Sequence, residues 1–454
     1  MRRLLIAAAL SVSVCCFSRT GQAELKLATF DVDASPPVGT NLAYDPAIGV
    51  QTPLSCRGVV LMGAGQPIVL CAVDWIGIGT GGQIVFKEQL AKAAGTIPQR
   101  VAVHTLHQHD APRCDFAVEE VLRDAGLENS GFDDAFARDV VQRASVAIKK
   151  AINTAKPVTH LGLGVGTVND VASNRRILGE DGKVKFTRYT ATRDPKLRAM
   201  PVGTIDPQLK MVSFWNDDEP LAALSYYACH PQSYYRTGMA NPDFPGLARN
   251  SRQAATKVPH IHFNGAGGNI GAGKWNDGAK ENRQVLADKV AAGMQEAWET
   301  TEKSPIAVRE VAWAIEPVAL PVASHLVESS LLKTATDKEA KPADRWFAAK
   351  HLLWLRRCNN QETIDISCLT LKNSRVLHMP GELFVEYQLA AQKLRPDLFV
   401  AMAAYGDYSP GYIGTEVAYS QGGYEASDRA SRVAPEVEGV LMGAVSKLLA
   451  AKRD

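Results

Sequence analysis

The sequence has almost no net charge. Its 50 lysine and arginine residues are balanced by 48 aspartate and glutamate residues, which leaves a formal charge of +2 at pH 7. A protein that binds nucleic acid or anionic membranes through its overall field normally carries a clear basic excess. The composition therefore predicts no nucleic-acid partner, and it predicts a substrate that is recognised by local contacts.

Long apolar runs are also missing after the first residues. Positions 1–23 begin with the arginine pair Arg2-Arg3, continue with an apolar stretch and end in small residues up to Ala23, which is typical of a signal peptide. No later stretch reaches the roughly 18 apolar residues that a membrane span needs. The sequence thus predicts export to the periplasm or the medium, no transmembrane anchor, and one large domain over residues 24–454. The oligomeric state stays open.

Closely spaced cysteine pairs of the CxxC type are absent. Six cysteines follow the predicted signal peptide, an even number in a compartment that permits oxidation. Cys358 and Cys368 flank a turn-like stretch and could form a disulfide. Cys71 lies in the apolar run PIVLCAV, so we expect most of the six to be buried free thiols.

The chain has no internal repeat and no low-complexity linker. Short apolar runs typical of strands alternate with helical patterns over 132–154, 278–302 and 431–452. This mixture predicts an α/β (α+β) fold with a mixed β-sheet and surrounding helices. Residues 216–220 predict a hairpin turn. The aromatic residues of 330–357 predict a helix that packs on the core, with a lipid-facing stripe as the alternative.

The densest cluster of chemically active side chains is the run from His104 to Pro112. His107 and His109 are two residues apart after the strand-like RVAV, so a continued strand places both on one face. Two imidazoles at a strand end suit a metal ligand beside a second ligand or a general base. His104 falls on the other face and is interpreted as structural.

Three further motifs carry candidate site residues. An apolar strand ends at His230, which is followed directly by a proline. Glu382 follows a Pro-Gly turn at the head of a helical run, where a carboxylate can complement the helix dipole or bind zinc together with histidines. The glycine-rich segment after Gly411 exposes Tyr412 and Tyr424 in a loop.

Taken in order, these motifs resemble the neutral (non-lysosomal) ceramidase family over nearly the whole chain after residue 23. The matching features are an HxH[SD][GA]P motif, an Asn-Arg pair, a strand ending in Cys-His, a glycine-rich loop, a Pro-Gly-Glu motif and spaced tyrosines. They correspond to His107–Pro112, Asn174–Arg175, Cys229–His230, Asn264–Gly271, Pro380–Glu382 and Tyr412–Glu425.

The resemblance implies one Zn²⁺ per chain, held by His107, His230, Glu382 and Tyr412. It also places His109, Arg175 and Tyr424 at the substrate, although Arg176 competes with Arg175 for that position. The expected reaction is hydrolysis of an amide bond in a small or lipid-like N-acyl substrate by zinc-bound hydroxide. In that scheme His109 transfers protons, Tyr424 stabilises the oxyanion, and Arg175 binds a polar part of the substrate.

Two departures from the family pattern limit what the resemblance implies. The family loop Gly-Asp-Val-Ser-Pro is replaced by Gly268-Asn269-Ile270-Gly271-Ala272, which excludes a serine acyl-enzyme there and leaves Asn269 as a substrate contact. The chain ends about thirty residues after Tyr424, so we expect it to lack a C-terminal immunoglobulin-like domain. Together with Asp110 in place of serine, this leaves open whether ceramide or another amide or ester is the substrate.

Other classes explain the motifs less well. An amidohydrolase-type enzyme also uses HxH, but near the first strand of a (β/α)₈ barrel, and here more than eighty residues precede it after the signal peptide. The metallo-β-lactamase pattern HxHxDH fails because position 112 is proline. A structural zinc site is usually rich in cysteine. A catalytically inactive binding protein with the same fold stays open as the alternative.

Overall fold

The computed structural model describes residues 24–127 and 131–450, so the predicted signal peptide lies outside the described residues. The strands of this part of the chain are, in order, β1 Lys26–Asp33, β2 Gly49–Val50, β3 Ser55–Gly63, β4 Gly65–Val73, β5 Gly77–Ile78, β6 Val101–Thr105, β7 Arg113–Cys114, β8 Lys156–Pro157, β9 His160–Thr167, β10 Ser173–Asn174, β11 Arg176–Leu178, β12 Val184–Thr187, β13 Gln208–Asn216, β14 Glu219–Tyr227, β15 Met239–Ala240, β16 His260–Asn264, β17 Ile270–Gly271, β18 Glu302–Pro305, β19 Val311–Val318, β20 Ile364–Leu371, β21 Ser374–His378, β22 Glu382–Leu383, β23 Phe399–Ala403 and β24 Tyr412–Ile413.

The helices of the same part of the chain connect these strands and cover the sheets. They are α1 Thr80–Ala94, α2 Phe116–Asp124, α3 Asp134–Ile152, α4 Pro195–Ala199, α5 Asp243–Thr256, α6 Asn282–Glu299, α7 Glu328–Thr336, α8 Pro342–Asn359, α9 Val385–Leu394, α10 Glu416–Gln421 and α11 Val437–Ala450. The three helical patterns of the sequence correspond to α3, α6 and α11. No helix among the described residues combines the length and the apolar character needed to cross the bilayer.

Three larger sheets form the framework. Their strand orders are β6-β4-β3-β1-β8, β16-β14-β13-β9-β18 and β19-β20-β21-β23. Each contains one parallel pair among antiparallel ones: β4 with β6, β14 with β16, and β21 with β23. The predicted mixed α/β architecture is confirmed. The three open sheets are not the closed barrel that an amidohydrolase would require.

Each sheet buries both of its faces, as the apolar runs of its strands require. On β4, Ile68 and Leu70 point into a core shared by all three sheets, whereas Val69 and Cys71 pack beneath helices α1 and α3. The second sheet is covered by α5 and α6, and the third by α8, α9 and α11. The central core therefore consists of three inward sheet faces enclosed by helices.

Several local predictions can be compared with this framework. The hairpin at 216–220 is present, because β13 pairs with β14 and Asn216 lies opposite Glu219. The six cysteines after residue 23 are all buried and free, so Cys358 and Cys368 do not form a disulfide. The helix predicted within 330–357 is α8. Leu352 and Trp354 of this helix are buried in the protein.

The parallel pairs of the three sheets end at the same place in the molecule. Thr105, at the end of β6, donates a backbone hydrogen bond of 3.0 Å to the carbonyl of Tyr405, which follows β23. Ala404 donates one of 2.9 Å to Asn264, the last residue of β16. The loops that leave β6, β16 and β23 are thereby brought together, and this junction positions the candidate site.

Two buried histidines link stability to pH. Burial lowers the pKa of His104 to about 4 and that of His262 to about 3, so both stay neutral in the folded protein. Their pKa is about 6.5 in an unfolded chain, which therefore binds more protons below that pH. Stability is unaffected above about pH 7 and is lost as the pH falls from there toward 4. The loss is about 2 kcal/mol per histidine at pH 5.

Replacing His262 tests this linkage. Its Nδ1 lies 2.9 Å from the Ser225 hydroxyl, a contact that the amide of a His262→Gln variant can preserve. We expect the variant to lower the pH dependence of the unfolding free energy by about one proton between pH 6 and 5. Urea unfolding at several pH values measures this slope. A His160→Gln variant, at a partly exposed position, is the control. Equal slopes for wild type and His262→Gln would contradict the interpretation.

Candidate metal centre and active site

His107 lies in a loop, because β6 ends at Thr105. The prediction that one strand carries both His107 and His109 is therefore wrong. His107 has a left-handed backbone with φ 69°, and its N–H donates 2.9 Å to the carbonyl of Trp75. Its Nδ1 lies 2.5 Å from the Ile76 carbonyl, which can only accept, so Nδ1 carries the proton. The lone pair of His107 is consequently on Nε2, which faces the site.

His230 also follows its strand at a short distance. β14 ends at Tyr227, and the N–H of His230 donates 3.0 Å to the carbonyl of Ile270. The His230 ring hydrogen-bonds the backbone of Gly267, while its Nδ1 is buried without any hydrogen-bond partner. Burial, reinforced by His107 and Arg175, lowers the pKa of His230 well below its ordinary value. A neutral imidazole with a free nitrogen is the form that binds a metal.

Glu382 supplies the carboxylate of the site. The preceding Gly381 takes a left-handed φ of 62°, and Glu382 then pairs with Tyr412 in the short β22–β24 bridge. Its Oε2 lies 3.2 Å from Nε2 of His107 and 4.0 Å from Nδ1 of His230. Burial acts to raise the pKa of Glu382, but His107 and hydrogen bonds from Tyr412 and Tyr408 outweigh it. The pKa falls below its ordinary value, so the carboxylate stays ionised.

These side chains fit a bound cation. His107, His109 and His230 each offer one nitrogen, and the three atoms lie within 4.8 Å of one another. Nδ1 of His109, Nδ1 of His230 and Oε2 of Glu382 are buried without hydrogen-bond partners. Leaving three such atoms unsatisfied is costly in a folded protein. A metal ion bound by His230 and Glu382 would satisfy Nδ1 of the one and Oε2 of the other together, and the mixed nitrogen and oxygen set suits zinc.

Of the two adjacent arginines, Arg175 enters the site. Its Nη1 donates 3.2 Å to the hydroxyl of Tyr412, and its Nε lies 3.2 Å from the buried carboxylate of Glu425. Arg176 also contacts Glu425, at 3.5 Å, and donates to the carbonyl of Ala418, but it makes no hydrogen bond to Tyr412. Arg175 therefore connects the segment that carries Tyr412 to the glycine-rich loop. The guanidinium of Arg175 also lies 5.8 Å from the ring centre of Tyr424.

A cavity of about 520 Å³ opens in front of the cluster. Tyr44 stacks on His109 at a ring-centre distance of 6.0 Å, and Trp346 and Phe347 of α8 form another part of the wall. This helix was predicted to pack on the core, with a lipid-facing stripe as the alternative, and Trp346 does pack in a buried apolar cluster with Val118 and Leu122 of α2 while it also lines the cavity with Phe347. The further lining residues are Ile76, His107, Arg113, Ala343, Asp344, His351, Glu382, Tyr408, Tyr412, Tyr424, Arg429, Ala430 and Arg432.

Comparison with known proteins shows which fold surrounds this cavity. One solved structure, described as a ceramidase complexed with C2, superimposes with a TM-score of 0.68 at 16% identity over 94% of this chain and 75% of that chain. A neutral ceramidase from Pseudomonas aeruginosa gives a TM-score of 0.65 at 15% identity, with the same coverage. The chain has the ceramidase fold. No family model matches the sequence, and no curated protein does either.

Within this ceramidase fold, the loop that departs from the family pattern has a structural role. Gly268 lies so close to Glu382 that an added Cβ would come within 2.2 Å of the Glu382 carbonyl oxygen. The next residue, Asn269, donates 2.8 Å to Glu386 and accepts 2.9 Å from the N–H of Val385. Both polar ends of the Asn269 amide thus hold the start of α9. Asn269 is buried and does not belong to the residues that line the cavity, so its contact with substrate stays a prediction.

Several residues of the site carried no recognisable signal in the sequence. Tyr44 and Arg432 lie in segments without a motif, and Arg113 directly follows the HxH motif that ends at Pro112; all three line the cavity. Tyr408 lies four positions before Tyr412, so its proximity to the tyrosine motif was the one available indication. Asp110 accepts hydrogen bonds from the backbone of Arg236 and the side chain of Thr237, which fixes the loop after His230.

Proposed function

We propose that this protein is a zinc-dependent hydrolase that cleaves the amide bond of N-acyl substrates. The observation that carries the proposal is the cluster of three imidazoles and one carboxylate at the base of the cavity. Two of the proposed ligand atoms, Nδ1 of His230 and Oε2 of Glu382, are buried without a hydrogen-bond partner, and so is Nδ1 of His109. A merely structural cluster would be expected to satisfy these atoms internally. The ceramidase fold of the chain is consistent with hydrolysis of an N-acyl bond.

His107, His230, Glu382 and Tyr412 would hold the metal. Glu382 already lies near both histidines, and the ring of Tyr412 is stacked parallel to that of His230 at 6.2 Å. A zinc ion bound by such ligands with one open position lowers the pKa of a bound water to about 7 and polarises a carbonyl group. The hydrogen bond that Nδ1 of His107 donates to the Ile76 carbonyl orients this imidazole before any ligand binds.

The remaining residues supply proton transfer and positioning. His109 has a free Nδ1 beside the cluster and stacks on Tyr44 at the cavity wall, where it can take a proton from the attacking water. The same group can return that proton to the departing amine. Tyr424 lines the cavity and can donate its hydroxyl to the developing oxyanion. Arg175 fixes the hydroxyl of Tyr412.

The cavity wall favours a substrate with an apolar part. Trp346, Phe347 and Tyr44 offer aromatic surface near the cluster, and the volume suits a small or lipid-like molecule. One structure with this fold is described as a ceramidase complexed with C2. These points support an N-acyl substrate with an aliphatic chain.

The metal content and the role of His109 can be tested together. We expect elemental analysis of wild-type protein purified with zinc to give one ion per chain, and removal by a chelator to abolish hydrolysis of N-acyl substrates. A His109→Ala variant should keep the metal and lose about a hundredfold to ten-thousandfold in rate, the range for general acid–base catalysis. A His107→Ala variant should lose both.

The control is His262→Ala, which removes another buried histidine outside the cluster and should keep one zinc per chain. Loss of zinc from His109→Ala would make His109 a ligand rather than the proton-transfer group. If folded wild-type protein bound no stoichiometric metal, the hydrolase proposal would be wrong. The inactive binding protein with the same fold would then be favoured.

A further inference from the structure

The cavity in front of the metal cluster carries an excess of positive side chains. Arg113, Arg429 and Arg432 line it, and the carboxylates among its lining residues are those of Asp344 and Glu382. Asp344 is exposed at the first turn of α8, whereas Glu382 belongs to the candidate metal cluster. With the ligand carboxylate engaged by its cation, the interior part of the cavity has arginines and no free acid.

Arg432 is the most unusual of these side chains. Only 5% of it is exposed, and its Nε is buried without a hydrogen-bond partner. Its side chain donates one hydrogen bond, of 3.3 Å, to the carbonyl of Ser409. Among the ion pairs of residues 24–127 and 131–450, none involves Arg432. Buried charges in proteins are normally paired, so an unpaired guanidinium beside a cavity indicates a missing partner.

Nε of Arg175 and of Arg188 is likewise buried without a hydrogen bond, but these arginines, like Arg249, have a carboxylate or several carbonyls as partners of the guanidinium. Arg249 is paired with Asp74 at 2.6 Å, and Arg175 with Glu425 at 3.2 Å. Arg188 has no carboxylate, but it donates to several backbone carbonyls. The protein thus supplies partners for its buried guanidiniums away from the cavity.

Arg113 lines the same cavity as Arg432 and Tyr408. Its guanidinium lies 4.8 Å from the ring centre of Trp346 and 5.5 Å from that of Phe347. It donates to the carbonyl of Ala43, while its Nε is buried without a partner. Stacking on aromatic rings holds a guanidinium in place and leaves its N–H edge available for an oxyanion. No ion pair of Arg113 occurs in the described part of the chain.

Lys350 lies behind these two arginines. It is buried, and its Nζ lies 3.9 Å from the ring centre of Tyr408. Burial lowers the pKa of Lys350 well below its ordinary value, and Arg432 and Arg113 lower it further, whereas Asp115 and Glu382 act to raise it. The positive charges that face the cavity interior are therefore the guanidiniums of Arg113 and Arg432, and one external anion would offset their mutual repulsion.

We propose that Arg113 and Arg432 bind an anionic group of the substrate, a carboxylate or a similar oxyanion, next to the scissile amide. This inference rests on the proposed function and specifies its substrate class. The preferred substrates are acidic N-acyl compounds such as N-acyl amino acids, and uncharged ceramides are poor ones. The aliphatic chain lies against Trp346 and Phe347, while the paired guanidiniums orient the acid end.

Matched substrates that differ only in charge test the proposal. We expect wild-type kcat/KM to be at least tenfold higher for N-dodecanoylglycine than for N-dodecanoylglycinamide, its uncharged analogue. Arg432→Gln and Arg113→Gln should each lower kcat/KM for the acid by about tenfold to a hundredfold, as loss of a charge-assisted hydrogen bond predicts. Each should change the value for the amide by less than twofold. Arg432→Lys should recover part of the loss.

Arg356→Gln is the matched control, because Arg356 lies on α8 with an exposed ion pair to Glu328 and does not line the cavity. Thermal unfolding of each variant verifies that it is folded. If Arg432→Gln does not fold, the rates of Arg113→Gln alone test the anion site. Equal wild-type activity on the two substrates, or equal losses on both in the arginine variants, would overturn the proposal and leave the hydrolase function intact.

A binding measurement separates the two proposals if neither compound is hydrolysed. Calorimetry with N-dodecanoylglycine should give a Kd at least tenfold weaker for Arg113→Gln than for wild type, independent of turnover. Such a result without hydrolysis would contradict the proposed reaction and support the anion site. Absent or equal binding in the two proteins would overturn the anion site.

Discussion

Replacing Glu382 with glutamine is expected to remove the metal and to lower kcat/KM for an N-acyl substrate by a thousandfold or more. The substitution keeps the size of the side chain but removes its charge, and it replaces one acceptor oxygen with an NH₂ group that cannot bind a cation. Oxygen Oε2 lies 3.2 Å from Nε2 of His107 and has no hydrogen-bond partner. Loss of Lewis-acid catalysis costs several kcal/mol of transition-state stabilisation, and about 4 kcal/mol corresponds to a thousandfold.

Glu386 offers a matched control four residues away. It is largely buried at the start of α9 and accepts a hydrogen bond of 2.8 Å from Asn269, but it does not touch the cluster. Glu386→Gln should retain one zinc per chain and most of the activity. Inductively coupled plasma analysis measures the zinc content of both variants, and initial rates measure their hydrolytic activity. Full metal content in Glu382→Gln, in a protein that melts like wild type, would exclude Glu382 as a ligand.

The second large effect concerns stability. Arg249 and Asp74 form a fully buried ion pair with contacts of 2.6 Å and 2.9 Å, and Asp74 also accepts two hydrogen bonds from Ser55. Burial acts to raise the pKa of Asp74, but Arg249 outweighs it, so the pair stays charged. Arg249→Leu leaves a buried carboxylate without its partner and should cost about 3–5 kcal/mol of unfolding free energy. Denaturant unfolding at neutral pH measures this loss.

Removing both charges should be less harmful than removing one. The double variant Arg249→Leu, Asp74→Asn should recover a large part of the lost stability, because no unpaired charge is left in the interior. Arg395→Leu is the control, since Arg395 pairs with Asp397 at the surface and should change stability by less than about 1 kcal/mol. If Arg249→Leu were as stable as Arg395→Leu, the buried ion pair would contribute nothing measurable to the free energy of unfolding.

The same ion pair also supports the site. Asp74 begins the turn after β4, and the carbonyls of the next two residues, Trp75 and Ile76, hold the backbone and the ring of His107. The side chain of Gln108 donates to the carbonyl of Asp74 itself. A variant that unfolds this turn is therefore expected to lose metal affinity as well as stability, although neither Asp74 nor Arg249 lies in the cavity.

Sequence reasoning predicted the mixed α/β class because alternating apolar runs and helical patterns are local properties of the chain. It also selected side chains that the structure brings together: Glu382 lies within 4.0 Å of both His107 and His230. It failed at the backbone of His107, which leaves the strand because carbonyls thirty residues earlier fix it in a left-handed conformation. No local pattern encodes that contact.

The cavity arginines were missed for a related reason. Arg113 and Arg432 look ordinary in the sequence. What distinguishes them is that neither forms an ion pair within the described part of the chain. Trp346 and Phe347 could be placed on a helix, but the face of α8 that meets the cavity depends on packing against distant segments. Periodicity predicts which residues share a helix face, whereas only the tertiary structure decides what that face contacts.

The proposed ligands at positions 107, 230, 382 and 412 come from segments separated by more than a hundred residues in two of three intervals. They meet only after the carboxyl ends of β6, β16 and β23 have joined, through contacts of large sequence separation that form slowly and at a high entropic cost. Any fragment lacking one sheet has an incomplete set of these residues. If they hold zinc as proposed, we expect tight zinc uptake to be a late event in refolding, with a rate that reports the docking of the last sheet rather than the collapse of the chain.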